Sequence, residues 1–122
     1  MIPTIGQNDK DGIPHEDRLV YLMMIYQRHY ALVTEFDFEE GKGYGFIRWS
    51  MDDSPGKWDT FDISNMMDMD WIPLEFKEPT KFGEVIHMAE EYYDETTLMD
   101  KAMQRYHEFT NTIQKKVKKV NL

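Results

Sequence analysis

The chain has no cysteine, which excludes a disulfide framework and any thiolate metal site and leaves an oxidising compartment without support. It also lacks an apolar run long enough to cross a bilayer: the longest, Leu19 to Tyr26, falls far short of the roughly 20 residues a membrane helix requires. No basic segment followed by an apolar one opens the chain, so a soluble, cytoplasmic protein is expected. Positive charge is scarce as well, with 14 Lys and Arg against 23 Asp and Glu, a formal net of −9. No Ser/His/Asp order, phosphate-cradling glycine loop or paired-carboxylate pocket can be read from the spacing. The expectation is therefore a non-enzymatic protein without a cofactor.

What is present bounds the fold. At 122 residues and 14.6 kDa the chain fits one domain with one modest core. A hydrophobic fraction of 41% with 14% aromatics places it among globular chains. Residues 1–12 are polar and without period, which predicts a loosely held tail ahead of a single α+β domain over 13–122.

The clearest local pattern runs from Ala31 to Ser50. Two alternating stretches, Ala31 to Phe38 and Tyr44 to Trp49, flank Glu39-Glu-Gly-Lys-Gly43, which predicts a β-hairpin with Gly41 or Gly43 at positive φ. Trp58 to Ile63 alternates again and reads as a third strand. Trp71 to Phe76 reads as an edge strand, because Pro73 cannot donate to a central ladder. Ser64 to Asp70 fits one helical turn or an irregular loop. The middle of the chain, about 31–76, is thus expected to form an antiparallel sheet of three or four strands.

Helices are expected on both sides of it. Pro14, Glu16 and Asp17 suit a first turn, and Leu19, Val20, Leu22, Met23, Tyr26 and Tyr30 fall at helical spacing, which predicts a helix over about 15–29 closed by His29. A buried strand over 19–26 is the alternative. Thr80 is the expected N-cap of a helix over about 81–94, with Phe82, Val85, Ile86, Ala89 and Tyr93 on one stripe. Thr97 and Asp100 approximate a capping box for a helix over about 97–119, whose far end is expected either to pair with a second copy or partner or to fold back.

Charge is concentrated. Residues 31–79 carry twelve acids against four bases, whereas residues 80–122 carry seven of each, with Lys115, Lys116, Lys118 and Lys119 bunched near the end. Such a field attracts basic partners and repels phosphate backbones. The expected partner-binding face comprises Asp52, Asp53, Asp59, Asp62, Asp68, Asp70 and Glu75. It would dock on a basic protein, in the manner of a mobile-element inhibitor that mimics nucleic acid, with ten methionines suited to adaptable apolar contact.

Lys42-Gly-Tyr-Gly-Phe-Ile-Arg-Trp49 resembles the RNP1 octapeptide of RNA-recognition motifs and the corresponding strand of cold-shock domains. Phe38 and Asp59-Thr-Phe61 extend the resemblance to about a quarter of the chain, although Asp37 stands where the family carries an aromatic and Ile63 where it carries a histidine. The resemblance implies a second reading: a single-stranded nucleic-acid binder that stacks bases on Tyr44 and Phe46 and meets phosphates with Lys42 and Arg48. Two metal patterns fail on spacing. Asn8 to Gly12 looks like part of a calcium loop, but the required terminal positions hold Gln7 and Arg18, and Glu84 with His87 has the i, i+3 spacing of carboxylate-bundle iron sites without a second copy.

Overall fold

In the computed structural model, the structure describes residues 2–49, 55–91 and 113. Their architecture is α+β, with one five-stranded antiparallel sheet in the order β4-β3-β2-β1-β5. The strands are β1 (Leu19–Tyr26), β2 (His29–Asp37), β3 (Lys42–Arg48), β4 (Lys57–Asp62) and β5 (Ile72–Lys81), and the helices are α1 (Gln7–Lys10), α2 (Ile63–Asp68) and α3 (Phe82–Glu91), with a 3-10 turn at His15–Asp17.

The helix expected over about 15–29 is overturned. Its apolar part is β1, which lies between β2 and β5 and pairs with both. A run of eight residues that is nearly all apolar satisfies the helical and the two-residue template together, so periodicity cannot choose between them. Helices on both sheet faces choose. Val20, Met23 and Ile25 pack with Tyr30, Leu32, Leu74 and Phe76 beneath Phe82, Val85, Met88 and Ala89 of α3. Leu22 and Met24 pack with Ala31, Val33, Phe36 and Ile47 beneath Ile63, Met66 and Met67 of α2. Each such side chain contributes about 1.5–3 kcal/mol of burial, and only a strand with both faces covered collects it from every position. His29 accordingly opens β2 and caps no helix. The sheet gains this fifth strand, while the other four overlap the stretches expected to be strands, β5 running on to Lys81, past the expected end at Phe76.

The hairpin between β2 and β3 turns at Gly41, whose φ is 66°, a conformation that glycine adopts without a Cβ penalty. β5 is an edge strand, as Pro73 requires, and β4 is the opposite edge. The expected Thr80 cap is not formed: Thr80 belongs to β5, and the first amide of α3, on Phe82, donates to the Arg18 carbonyl at 2.8 Å. The expected helix over 97–119 lies outside the described residues except for Ile113, which is helical and buried against α2's side of the sheet.

The first residues are tied down. Thr4 forms a parallel bridge with Phe36, whose amide donates to the Pro3 carbonyl at 3.0 Å. The Asn8 amide donates to the Glu35 carboxylate at 2.7 Å, so residues 3–18 form a strap across the far end of β2 on the α3 side.

Candidate functional site

Lys42, Tyr44, Phe46 and Arg48 alternate onto one face of β3, as their spacing predicts, but that face is the one α3 covers. Phe46 packs against Phe82 with ring centroids 5.3 Å apart and against Trp58 at 6.1 Å. Trp58 is in turn stacked on His15 at 4.2 Å and capped by the Arg18 guanidinium at 5.6 Å. Arg48 faces Glu90 of α3 at 3.5 Å. Burial, first, and then the carboxylates of Asp9, Glu35 and Asp59 push the Tyr44 phenol above its ordinary pKa, against the opposing pull of Arg18. The rings therefore meet protein on their faces and carboxylates around them, so the strip presents no bare stacking platform. The RNP1-like glycines have a packing cause: a Cβ on Gly43 would collide with Ile63 of α2 and with Val33.

The five described acids of the expected face, Asp59, Asp62, Asp68, Asp70 and Glu75, do not share one surface. Asp59 lies on β4 and Glu75 on β5, the two opposite edges with three strands between them. At about 4.8 Å per strand this separates them by about 19 Å. Asp59 pairs with Lys57 at 3.4 Å. Asp62 caps α2 by accepting from the Asn65 amide at 2.9 Å, and Glu75 accepts from the Ile113 amide at 2.9 Å. Asp52 and Asp53 lie outside the described residues. Asp68 and Asp70 alone remain together, both exposed in the link from α2 to β5.

That link borders a cluster the sequence reading missed. Tyr26 at the end of β1, His29 at the start of β2, Trp49 just after β3 and Trp71 just before β5 meet on the α2 side of the sheet, at the end opposite the strap. Tyr26 stacks on Trp71 at 5.8 Å, and Trp49 meets Trp71 edge-on at 5.7 Å. His29 fills the middle, 6.1 Å from Tyr26 and 5.2 Å from Trp49, and burial lowers its pKa. Trp71 and His29 form a buried floor, while Tyr26, Trp49 and Met69 remain 36%, 40% and 60% exposed. The four rings come from four positions over 45 residues of sequence, from Tyr26 to Trp71, so no local spacing announces them. A signal was available in one respect: Trp49 ends and Trp71 begins an expected strand, and strand ends of an antiparallel sheet gather at two rims; Tyr26 and His29 fall in the expected helix and give no such signal.

Comparison with protein-family models, with curated proteins and with solved structures returned no match.

The chemistry of the remaining buried polar groups is structural. Arg18 is 4% exposed and Glu35 1%. Arg18 donates from Nη2 to Asp9 at 2.5 Å and from Nε to the Ile13 carbonyl at 3.0 Å. Among the described residues, its Nη1 and the Asn8 Nδ2 have no hydrogen-bond partner, and both are buried. Arg18 therefore holds the strap together, and Glu35 fastens it to the sheet through the Asn8 amide. Among the described residues, no three His, Asp or Glu side chains converge to hold a metal ion, and Glu84 and His87 sit exposed on α3.

Proposed function

We propose that this chain is a non-enzymatic interaction protein that engages a basic surface of a partner protein through the Tyr26–Trp49–Met69 patch, with Asp68 and Asp70 at its border. The observation that carries the reading is the exposed aromatic and methionine cluster beside two exposed carboxylates. Tyr, Trp and Met are enriched in the cores of protein interfaces, and exposed aromatic anchors supply most of the binding energy where they occur. The seventeen carboxylates and eight cationic side chains of the described residues carry the whole net charge of −9, so the body that presents the patch favours a cationic partner over a polyanion. The same geometry favours anchored docking over nucleic-acid mimicry, because mimicry needs a row of carboxylates and these are divided between sheet edges and helix caps.

Affinity capture tests the reading. A tagged chain and its Trp49→Ala, Met69→Ala and Asp68→Asn/Asp70→Asn variants are compared at low and high salt. The expected result is a basic protein retained by the parent, lost with Trp49→Ala and weakened by salt and by the Asp variant. A partner that binds Trp49→Ala as well as the parent would refute the site.

A further inference from the structure

We infer that the Tyr26–Trp49–Met69 patch takes an arginine side chain of the partner, whose guanidinium lies against an exposed ring while its N–H groups meet the carboxylates of Asp68 and Asp70. The inference rests on the docking reading for its site and adds the chemistry of the group that enters it.

Three observations support it. Apolar exposure is gathered at this rim: of the six large apolar side chains exposed among the described residues, Tyr26, Trp49 and Met69 belong to the patch. Their rings are held in place, since Trp71 is buried beneath them, Tyr26 stacks on it, and Trp49 meets it at an interplanar angle of 89°. Backbone strain lies on both sides of the stacked pair. Gln27, with φ 55°, directly follows Tyr26, and Asp70, with φ 70°, directly precedes Trp71; among the described residues these are the two non-glycine positions with positive φ. Side-chain-bearing residues hold that conformation at a cost, and it gathers at ligand clamps. Charge completes the site. Asp68 and Asp70 are exposed on either side of Met69, and the cation between Tyr26 and His29 is Arg28 alone. Burial lowers the His29 pKa, so at pH 7 the two carboxylates outweigh the local positive charge. Of the cations a protein surface offers, arginine suits both halves of the patch. Its guanidinium is planar and weakly hydrated, stacks on aromatic rings and donates in a fork to carboxylates, whereas the lysine ammonium is a strongly hydrated point charge. Met69 gives the methylene stem an adaptable apolar contact.

The isotope-labelled full chain is titrated with a short peptide of alternating glycine and arginine and with its lysine counterpart of equal length and charge. The indole N–H signals of Trp49, Trp58 and Trp71 are followed by NMR. The Trp49 and Trp71 signals are expected to shift saturably, with the arginine peptide binding about fivefold more tightly than the lysine peptide, while Trp58, on the opposite sheet face, stays in place. The preference for arginine should disappear in Asp68→Asn/Asp70→Asn, where asparagine suits the positive φ at position 70, and in Trp49→Ala, read at Trp71. Equal affinity for the two peptides overturns the inference, as does a preference that survives either variant. So does a shift of Trp58 matching those of Trp49 and Trp71, which marks attraction to the net charge of −9 as a whole. The titration contains no partner, which separates the two readings. If Trp49→Ala releases a captured partner while the two peptides bind alike, the docking surface stands and the arginine falls. A partner that ignores Trp49→Ala removes the docking surface, and with it an arginine of that partner.

Discussion

Truncating Glu35 tests whether the strap belongs to the fold. In Glu35→Ala the Asn8 amide, which donates to Glu35 at 2.7 Å in a buried setting, loses its acceptor. A hydrogen bond to a charged group contributes about 1.5–3 kcal/mol, and a buried donor left unmade costs about 1–3 kcal/mol. These overlap, so the expected loss is about 3 kcal/mol. At about 2.1 cal/mol/K of unfolding entropy per residue, a chain of this length loses about 4 °C of Tm per kcal/mol, so the melting point should fall by about 12 °C. Glu35→Gln keeps an acceptor oxygen at the same reach and should lose less than half as much. Thermal unfolding gives the magnitude, and hydrogen exchange at the Asn8 amide gives the cause, since its protection should vanish in the alanine variant and persist in the glutamine one. A change below about 0.5 kcal/mol with Asn8 still protected would mean the strap is held without this bond and would refute the reasoning.

Trp49→Ala, on the exposed rim, should cost under about 1 kcal/mol of stability, whereas Phe46→Ala, packed between Phe82 and Trp58, should cost about 3 kcal/mol; equal costs in denaturant titrations would contradict the assignment of the two rings. Gly43→Ala should destabilise by about 1–3 kcal/mol through collision with Ile63 and Val33. In the Gly43→Ala/Ile63→Ala pair the two costs should sum to less than their separate values, and strict additivity would show that the glycine has another purpose. His29 has a folded pKa below its ordinary value, so its contribution is fully present above about pH 6.5 and is lost as pH falls through the folded pKa. A His29→Phe variant should therefore lose less stability than the parent between pH 7 and pH 5, and superimposable stability curves would count against the lowered pKa. Fluorescent single-stranded oligonucleotide should show no change of affinity between parent and Phe46→Ala; a loss confined to that variant would restore the nucleic-acid reading.

The sequence by itself determined the elements whose signal is local. Alternation from Ala31 to Trp49 is a statement about which side each residue takes, and Gly41 has the only backbone freedom the turn needs, so β2, β3 and their hairpin are where the pattern puts them. The same holds for β4, for β5 with Pro73 at an edge, and for α3, whose stripe needs one covering face. β1 was undecidable locally, because an all-apolar run is compatible with either period until something covers both its faces. α2 and α3 do so only after the chain has crossed the sheet on each side. The sites follow the same division. Lys42, Tyr44, Phe46 and Arg48 share a face by spacing alone, yet whether that face is open depends on Phe82, Trp58 and Arg18, which arrive from three other segments. The carboxylates are dense along residues 52–78, yet strand order sends Asp59 and Glu75 to opposite edges. Tyr26, His29, Trp49 and Trp71 come together because three chain connections share one rim, and proximity of that kind exists only once the sheet has closed.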